Sequence, residues 1–359
     1  KKLRDESEEC PCRKNNSKKN LSDWNEMIKG ELDEGMAVVR VKTDMNLPNP
    51  ALRDWPALRI QHTPHTMVGD KYKVWPLLDF QSAIEDHEQG VTHIIRGKDL
   101  MDSTRKQTLL YKHFGWKYPE TLYWGRVKIY EYGSFSTSGM RKEIENTNYS
   151  GWDDPRLPTL RALRRRGFNP DAMKDFWLDL GLTQKDISVS LQTIEAFNSS
   201  KIDSMCERRT FVRNPHKIQL NDENLPVERK LVLNKHPLNE IKGYREWDLG
   251  NLEIFIEEKD IDNEQIRLKD FADIKIKDSK GIIQSIERTD KRQIVHWLPK
   301  TIAKKAVLTI PKGNEIIVQE GMMEDIQIME NNIVQLERVG YARIESSNEE
   351  VIKLLWLHG

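Results

Sequence analysis

Beyond Phe211 the chain is written in short apolar runs: Leu252-Glu253-Ile254-Phe255-Ile256, Ile274-Lys275-Ile276, Ile316-Ile317-Val318 and Val334-Gln335-Leu336, with turn residues between them. Runs this short cannot make helices with a buried stripe. Recurring without a fixed period, they read as the strands of an all-β barrel or sandwich. No other feature restricts the fold as much, because it commits the C-terminal part to non-local strand pairing.

The preceding sequence has three other textures. Residues 1–70 are polar and irregular, with Pro48, Pro50, Pro56 and Pro64 interrupting any long helix. Within them residues 21–32 read as a short amphipathic helix and residues 37–42 as a strand. Residues 71–140 alternate strand and helix, the pattern of a parallel sheet covered by helices. There Val91-Thr92-His93-Ile94-Ile95 reads as a buried strand, Asp102-Ser103-Thr104 as the cap of a helix ended by Gly115, and residues 122–132 as a second strand. A helix starts near Met140, and residues 141–205 are helical, punctuated by Gly167 and Gly181. The expected fold is therefore multi-domain α/β plus all-β.

The 359 residues suffice for two or three domains. Mean hydropathy is −0.70 and no apolar run approaches the ~18 residues of a membrane span, so a soluble protein is expected. Cys10, Cys12 and Cys206 cannot build a disulfide framework, and no basic-then-apolar leader opens the sequence. A reducing cytoplasmic setting is the simplest expectation. Cys10 and Cys12 lack the second pair that a zinc site requires, so no protein-bound metal is expected. Fifty-seven Lys+Arg balance fifty-seven Asp+Glu, which excludes a uniformly basic coat but not local patches.

Three places attract anions. In a parallel sheet, ligands bind beyond the carboxyl ends of strands, where Arg96 and Lys98 fall. Arg96 suits a carboxylate and Lys98 a phosphate, although a solvated Arg-Gly-Lys turn has the same spacing. The loop Ser136-Thr137-Ser138-Gly139 offers hydroxyls, backbone N–H groups and a helix N-terminus to an anion such as triphosphate; an ordinary serine-capped loop reads the same. Finally, eight Lys+Arg against three Asp+Glu between Arg96 and Lys128, with Arg161, Arg164, Arg165 and Arg166 on one helix end, make local basic patches that fit a phosphate backbone or a plain solvated face.

Several strings taken together resemble the archaeal-type glutamyl-tRNA synthetases, class I enzymes of the glutamyl/glutaminyl subgroup. They are Gly90-Val91-Thr92-His93-Ile94-Ile95-Arg96-Gly97-Lys98-Asp99, the loop from Ser136 to Gly139, and Gly151-Trp152-Asp153-Asp154-Pro155-Arg156-Leu157-Pro158-Thr159-Leu160 followed by Leu163-Arg164-Arg165-Arg166-Gly167. Downstream, Ile294-Val295-His296-Trp297 and the string from Val334 to Tyr341 resemble strands of that family's barrels. The resemblance implies an incomplete connective-peptide domain holding the acceptor end (1–70) and the second half of a Rossmann-like catalytic domain (71–140). A helical stem-contact domain (141–205) and two anticodon-binding β-barrels (206–359) would follow. It also implies ATP with Mg²⁺ and glutamate as substrates, tRNA(Glu) and tRNA(Gln) as candidate acceptors, an adenylate intermediate and a monomer.

Residue by residue, the resemblance assigns Arg96 to the amino-acid substrate and Ser134, Phe135, Ser136, Thr137 and Ser138 to the signature loop that stabilises the ATP phosphates. Thr137 stands where a lysine is expected, with Lys142 or Arg141 as substitutes. Arg126 resembles an ATP-contacting arginine. Leu78 replaces a tyrosine that helps read the substrate side chain. Arg161, Arg164, Arg165 and Arg166 are expected on tRNA, and Arg208 on the anticodon. No His-Ile-Gly-His string occurs, from which the chain alone is expected not to form the adenylate. The alternatives are a glutaminyl-tRNA synthetase, against which the cationic turn at Arg96 argues, and a noncatalytic tRNA-binding fragment.

Overall fold

The computed structural model describes residues 2–133, 135–221, 225, 229–326 and 333–359. They fall into two compact units, one of residues 1–127 with 182–187 and one of residues 128–181 with 188–359.

The first unit opens with a single turn α1 (Lys2–Asp5) and helix α2 (Ser17–Lys29), which Asn16 caps through Lys19 N and Gly30 ends at φ 75°. Three strands, β1 (Val38–Arg40), β2 (Pro56–Ile60) and β3 (Val74–Pro76), form an antiparallel sheet in that order. Helix α3 (Leu78–Glu88), strand β4 (His93–Gly97), helix α4 (Met101–Phe114) and strand β5 (Glu120–Trp124) follow, with β4 and β5 paired in parallel. This is the strand–helix–strand unit that the alternation predicts. Trp55, Ala57, Ala83, Leu110 and Tyr111 form its core, and Tyr111 donates its hydroxyl to Ala83 O at 2.9 Å.

Three local expectations change. The strand expected over residues 91–95 sits two residues later, and Ile95 is 60% exposed because β4 has one strand partner among the described residues. Helix α4 grows directly out of a 3₁₀ turn at Lys98–Leu100, so its first N–H groups need no side-chain cap. Asp102 instead accepts from Asn49 Nδ2 (2.9 Å) and Arg105 Nη1 (3.1 Å). The long strand expected over residues 122–132 breaks at Gly125, whose N–H donates to Thr183 O at 2.7 Å. A Cβ there would lie 2.0 Å from Lys185 O, so only glycine allows this approach. A short strand β6 (Val127–Ile129) and a 3₁₀ turn at Tyr130–Tyr132 take the rest.

The second unit contains helices α5 (Thr137–Glu145), α6 (Leu160–Arg166), α7 (Pro170–Leu180) and α8 (Leu191–Ile202), with a short strand β7 (Ile187–Val189) before α8. Thr159 and Asn169 cap α6 and α7, and Gly167 and Gly181 end them, as the sequence punctuation predicts. Strands then dominate: β8 (Glu207–Arg209), β9 (Phe211–Arg213), β10 (Pro215–Leu220), β11 (Lys230–Asn234), β12 (Tyr244–Asp248), β13 (Glu253–Glu257), β14 (Gln265–Leu268) and β15 (Asp273–Lys277). They continue as β16 (Lys280–Ser285), β17 (Gln293–Val295), β18 (Trp297–Pro299), β19 (Ala303–Lys312), β20 (Glu315–Glu324), β21 (Ile333–Leu336), β22 (Gly340–Ser347) and β23 (Val351–His358).

These strands build two seven-stranded sheets, in the orders β17-β14-β15-β16-β10-β13-β18 and β8-β21-β22-β23-β19-β20-β9, with β11–β12 as a separate hairpin. Each sheet has its own core. One gathers Ile254, Ile256, Ile266, Leu268, Ile274, Trp247 and Trp297; the other Leu308, Met323, Leu336, Ile344 and Leu354. The all-β expectation for the C-terminal part holds.

Candidate functional site

In the first unit Arg96 ends up at the carboxyl end of β4, half-buried. Its Nη1 donates to Gln107 Oε1 at 2.9 Å and to Thr104 Oγ1 at 3.4 Å, both on α4. Gln107 is 1% exposed and joins three elements: its Oε1 also accepts from the Tyr118 hydroxyl (2.6 Å), while its Nε2 donates to Ser82 Oγ (2.6 Å) and Asp79 O (3.2 Å) on α3. Nε and Nη2 of Arg96 have no partner among the described residues. The guanidinium is thus fixed along one side and open along the other, the arrangement that receives a carboxylate bidentately. Burial pushes the Asp86 carboxyl and the Tyr118 hydroxyl up, and the Arg96 charge partly offsets both shifts.

Lys98 does not stand free: it pairs with Asp186 at 3.0 Å. Asp186 also accepts from Arg126 N at 2.7 Å, and these two contacts hold its carboxyl below the ordinary range. The Arg126 side chain is exposed, makes no side-chain hydrogen bond among the described residues, and adds its charge to those that favour the ionised Asp186. Leu78 opens α3 and is 63% exposed, while its neighbour Asp79 accepts from Lys106 Nζ at 2.7 Å.

In the second unit, Ser134 lies outside the described residues. Phe135 is half-buried, and Ser136 is the N-cap of α5, its Oγ accepting from Gly139 N at 3.0 Å and standing 3.4 Å from Ser138 Oγ. Thr137, Ser138, Arg141 and Lys142 are exposed, so both cations considered as substitutes at Thr137 sit on the first turns of α5.

The Gly151–Trp152–Asp153–Asp154–Pro155–Arg156 string folds around one carboxylate. Asp154, 1% exposed, accepts from Ser150 N (2.9 Å), Ser150 Oγ (3.2 Å), Arg156 N (3.1 Å), Arg156 Nε (2.9 Å) and Arg156 Nη2 (2.7 Å). Burial alone would raise its pKa, but the arginine and the backbone donors win and bring it down to about 2. Arg156 in turn donates to Asn314 O and Asn148 O and lies over the Tyr149 ring.

The four arginines of α6 part company. Arg161 and Arg164 are exposed and their guanidinium groups have no partner among the described residues. Arg165 is tied to Glu345 (2.8 Å) and Asp153 (3.7 Å). Arg166 is 3% exposed, donates to Leu357 O and to the Tyr132 hydroxyl (3.3 Å), and packs over Phe168. It belongs to the interior of the unit and not to the exposed basic face on which the sequence reading put it. Three consecutive helical residues point about 100° apart, so they cannot share one face. Arg208 is likewise engaged, donating to Asp203 at 2.7 Å, whose carboxylate also accepts from the Tyr341 hydroxyl at 2.5 Å. Sequence reasoning missed Gln107, Asp186 and the Trp152 side of the α6 surface. Only Trp152 carried a signal, as part of the distinctive string.

A Rossmann-type strand–helix–strand segment, a helical segment and a paired β-sheet region in this order define a class. The family profile for "tRNA synthetases class I (E and Q), catalytic domain" matches residues 1–204, and the corresponding anti-codon binding domain profile matches residues 206–292. The chain belongs to this family of class I tRNA synthetases. More specifically, it is 44% identical over 358 residues to the glutamate–tRNA ligase of Archaeoglobus fulgidus, covering 98% of this chain and 63% of that protein. It is 42% identical over 373 residues to the glutamate–tRNA ligase of Methanosarcina barkeri (100% and 64%) and 40% identical over 373 residues to that of Pyrococcus furiosus (99% and 64%). The chain thus spans a little under two thirds of the length of these curated relatives.

Proposed function

We propose that the protein ligates glutamate to tRNA(Glu) at the expense of ATP, through a glutamyl-adenylate, and that tRNA(Gln) is a second acceptor. The observation that carries this reading is the collinear similarity to archaeal glutamate–tRNA ligases along 98–100% of the chain. Arg96 supports it too: Gln107 anchors one guanidinium nitrogen and leaves Nε and Nη2 for a carboxylate of the amino acid. An acidic substrate fits that cation better than glutamine does.

In this reading the protein does little covalent chemistry. It positions reactants and stabilises charge as it develops on phosphate. ATP is used as its Mg²⁺ complex, and the helix-start amides of α5, with the exposed hydroxyls of Thr137 and Ser138, face the phosphates. Lys142 or Arg141 supplies the cation that Thr137 does not, and Arg126 contacts the nucleotide. Exposed Arg161 and Arg164 meet the tRNA backbone. Arg208 contributes near the anticodon through the Asp203–Tyr341 arrangement that holds it. The protein works in the cytoplasm as a monomer.

Charging assays with the full-length protein test the reading, using labelled glutamate or glutamine, ATP, and purified tRNA(Glu) or tRNA(Gln). Glutamate charged onto both tRNAs is expected. Charging with glutamine and not glutamate would overturn the reading, and charging of tRNA(Glu) alone would remove its second acceptor.

A further inference from the structure

Strands β4 and β5 are paired in parallel from His93 with Glu120 to Gly97 with Trp124, and there the ladder ends. Past it one strand runs into the 3₁₀ turn at Lys98–Leu100 and the other breaks at Gly125. Arg96 lies inside the ladder, opposite Tyr123, but Arg126 lies beyond it, so strand pairing does not fix Arg126 relative to Arg96. The segment 182–187 of the same unit supplies the missing link. Its backbone follows the broken turn: Gly125 N donates to Thr183 O at 2.7 Å and Ile187 N to Arg126 O at 3.0 Å. Asp186 then reaches both strand ends with one atom, its Oδ1 accepting from Arg126 N at 2.7 Å and from Lys98 Nζ at 3.0 Å.

The side chains of Lys98 and Asp186 are 37% and 50% exposed, and an ion pair so open to water adds little to folding stability. What it can do is hold a distance, and a reaction between two bound partners is sensitive to misplacements of about 1 Å. We propose that Asp186 is a positioning residue for adenylate formation: it ties Lys98 and the Arg126 backbone to one oxygen and so sets Arg126, at the end of β5, relative to Arg96, at the end of β4. This deepens the synthetase reading and rests on it, because there Arg96 holds the amino acid and Arg126 the nucleotide. In the step concerned a glutamate carboxylate oxygen bonds to the α-phosphorus of ATP as the bond to the leaving pyrophosphate breaks. Asp186 makes no bond and moves no proton in it.

The test is ATP–pyrophosphate exchange by the full-length protein with purified tRNA(Glu) present throughout, glutamate and ATP each being varied, alongside thermal melting. The variants are Asp186→Asn, Lys98→Met, the two combined, and Lys98→Arg. Asp186→Asn should lower kcat about tenfold or more, leave both KM values within about threefold, and melt like the wild type. Lys98→Met should do the same, and the combination should fall no further than the worse single variant, because both break one link. Lys98→Arg keeps the pair and should restore most of the rate that Lys98→Met loses. Wild-type kcat in Asp186→Asn, or losses that multiply in the combined variant, would overturn the proposal. So would a rise in the KM for ATP confined to Lys98→Met, which would make Lys98 a direct phosphate ligand. Should Asp186→Asn melt early, the two Lys98 variants decide, since they leave the Arg126 N–H contact in place. Absence of glutamate-dependent exchange in the wild type would sink the parent reading, whereas an active wild type with an unaffected Asp186→Asn sinks the positioning role alone.

Discussion

Arg96 Nη1 and Gln107 Oε1 meet at 2.9 Å, and through that contact a buried amide on α4 sets the direction of the one half-buried guanidinium at the end of β4. Gln107 can do this because its Nε2 is committed to Ser82 and Asp79 and its Oε1 also accepts from Tyr118, which leaves its carbonyl no freedom to turn away. A single side chain thereby couples α3, α4 and the strand end.

Gln107→Leu should therefore act on substrate binding through Arg96. With the acceptor gone, the guanidinium loses its orientation and the KM for glutamate in ATP–pyrophosphate exchange by the full-length protein should rise about tenfold, the loss of one charge-assisted hydrogen bond's worth of positioning. The ATP dependence should change little. The variant should also be about 1–3 kcal/mol less stable, because the Tyr118 hydroxyl and Ser82 lose their partner. An unchanged KM for glutamate, with the lowered stability present, would show that Gln107 serves packing alone.

Asp154 gives a pH prediction. Its carboxyl is brought from an ordinary 3.8 down to about 2 in the fold, so the folded state favours the ionised form. A group lowered in this way contributes its stability above the unfolded value and loses it as pH falls through the folded one. The contribution should be complete above about pH 5 and vanish between about pH 4 and pH 2, amounting to about 2 kcal/mol. In Asp154→Asn that part of the acid dependence should be missing from the melting curve of the second unit. Identical pH profiles for the variant and the wild type between pH 5 and pH 2 would contradict the clamp.

How far the sequence went is visible in these residues. The place of Arg96 at the carboxyl end of a parallel strand was legible, because the short apolar run before it reads as a buried strand. Gln107 was not, since a glutamine between the apolar positions of an amphipathic helix looks like any solvent-facing residue until the hydroxyl of Tyr118 and the start of α3 are brought to it by the fold. The short β runs announced an all-β region, but not its strand orders. Pairs such as the parallel β19–β23 join residues far apart in sequence, and no local pattern fixes that register. The arginines of α6 show the opposite failure. Charge was read as exposure, although helical geometry alone separates three consecutive arginines onto three faces.

Arg166 and the pair Arg161 and Arg164 should consequently behave in opposite ways. Arg166→Ala removes one buried and one part-buried hydrogen bond and takes the guanidinium donor from the Leu357 carbonyl. The expected cost is about 2–4 kcal/mol in stability, seen as a lower melting temperature. The salt slope of RNA binding, measured well below that temperature, should stay at the wild-type value. A reduced slope in Arg166→Ala would mean that this arginine reaches phosphate after all.

Glu324 offers the sharpest test of what joins the β region. It lies at the end of β20, 3% exposed, and accepts from Arg209 Nη1 (3.1 Å), Thr210 N (3.0 Å), Trp247 Nε1 (3.2 Å) and Arg245 Nη1. Trp247 packs in the core of the first seven-stranded sheet, whereas β20 belongs to the second, so one carboxylate links the two cores. Removing it leaves the buried Arg245 guanidinium without its carboxylate and Arg209 with Glu207 alone. Glu324→Ala should cost about 3–5 kcal/mol. Glu324→Gln keeps the shape and one acceptor but turns an NH₂ toward donors, and should fall between Ala and the wild type. The measurement is urea unfolding followed by tryptophan fluorescence. If Glu324→Ala unfolds at the wild-type urea midpoint, the carboxylate is not what couples the sheets, and apolar packing between Trp247, Trp297 and their neighbours must carry that load instead.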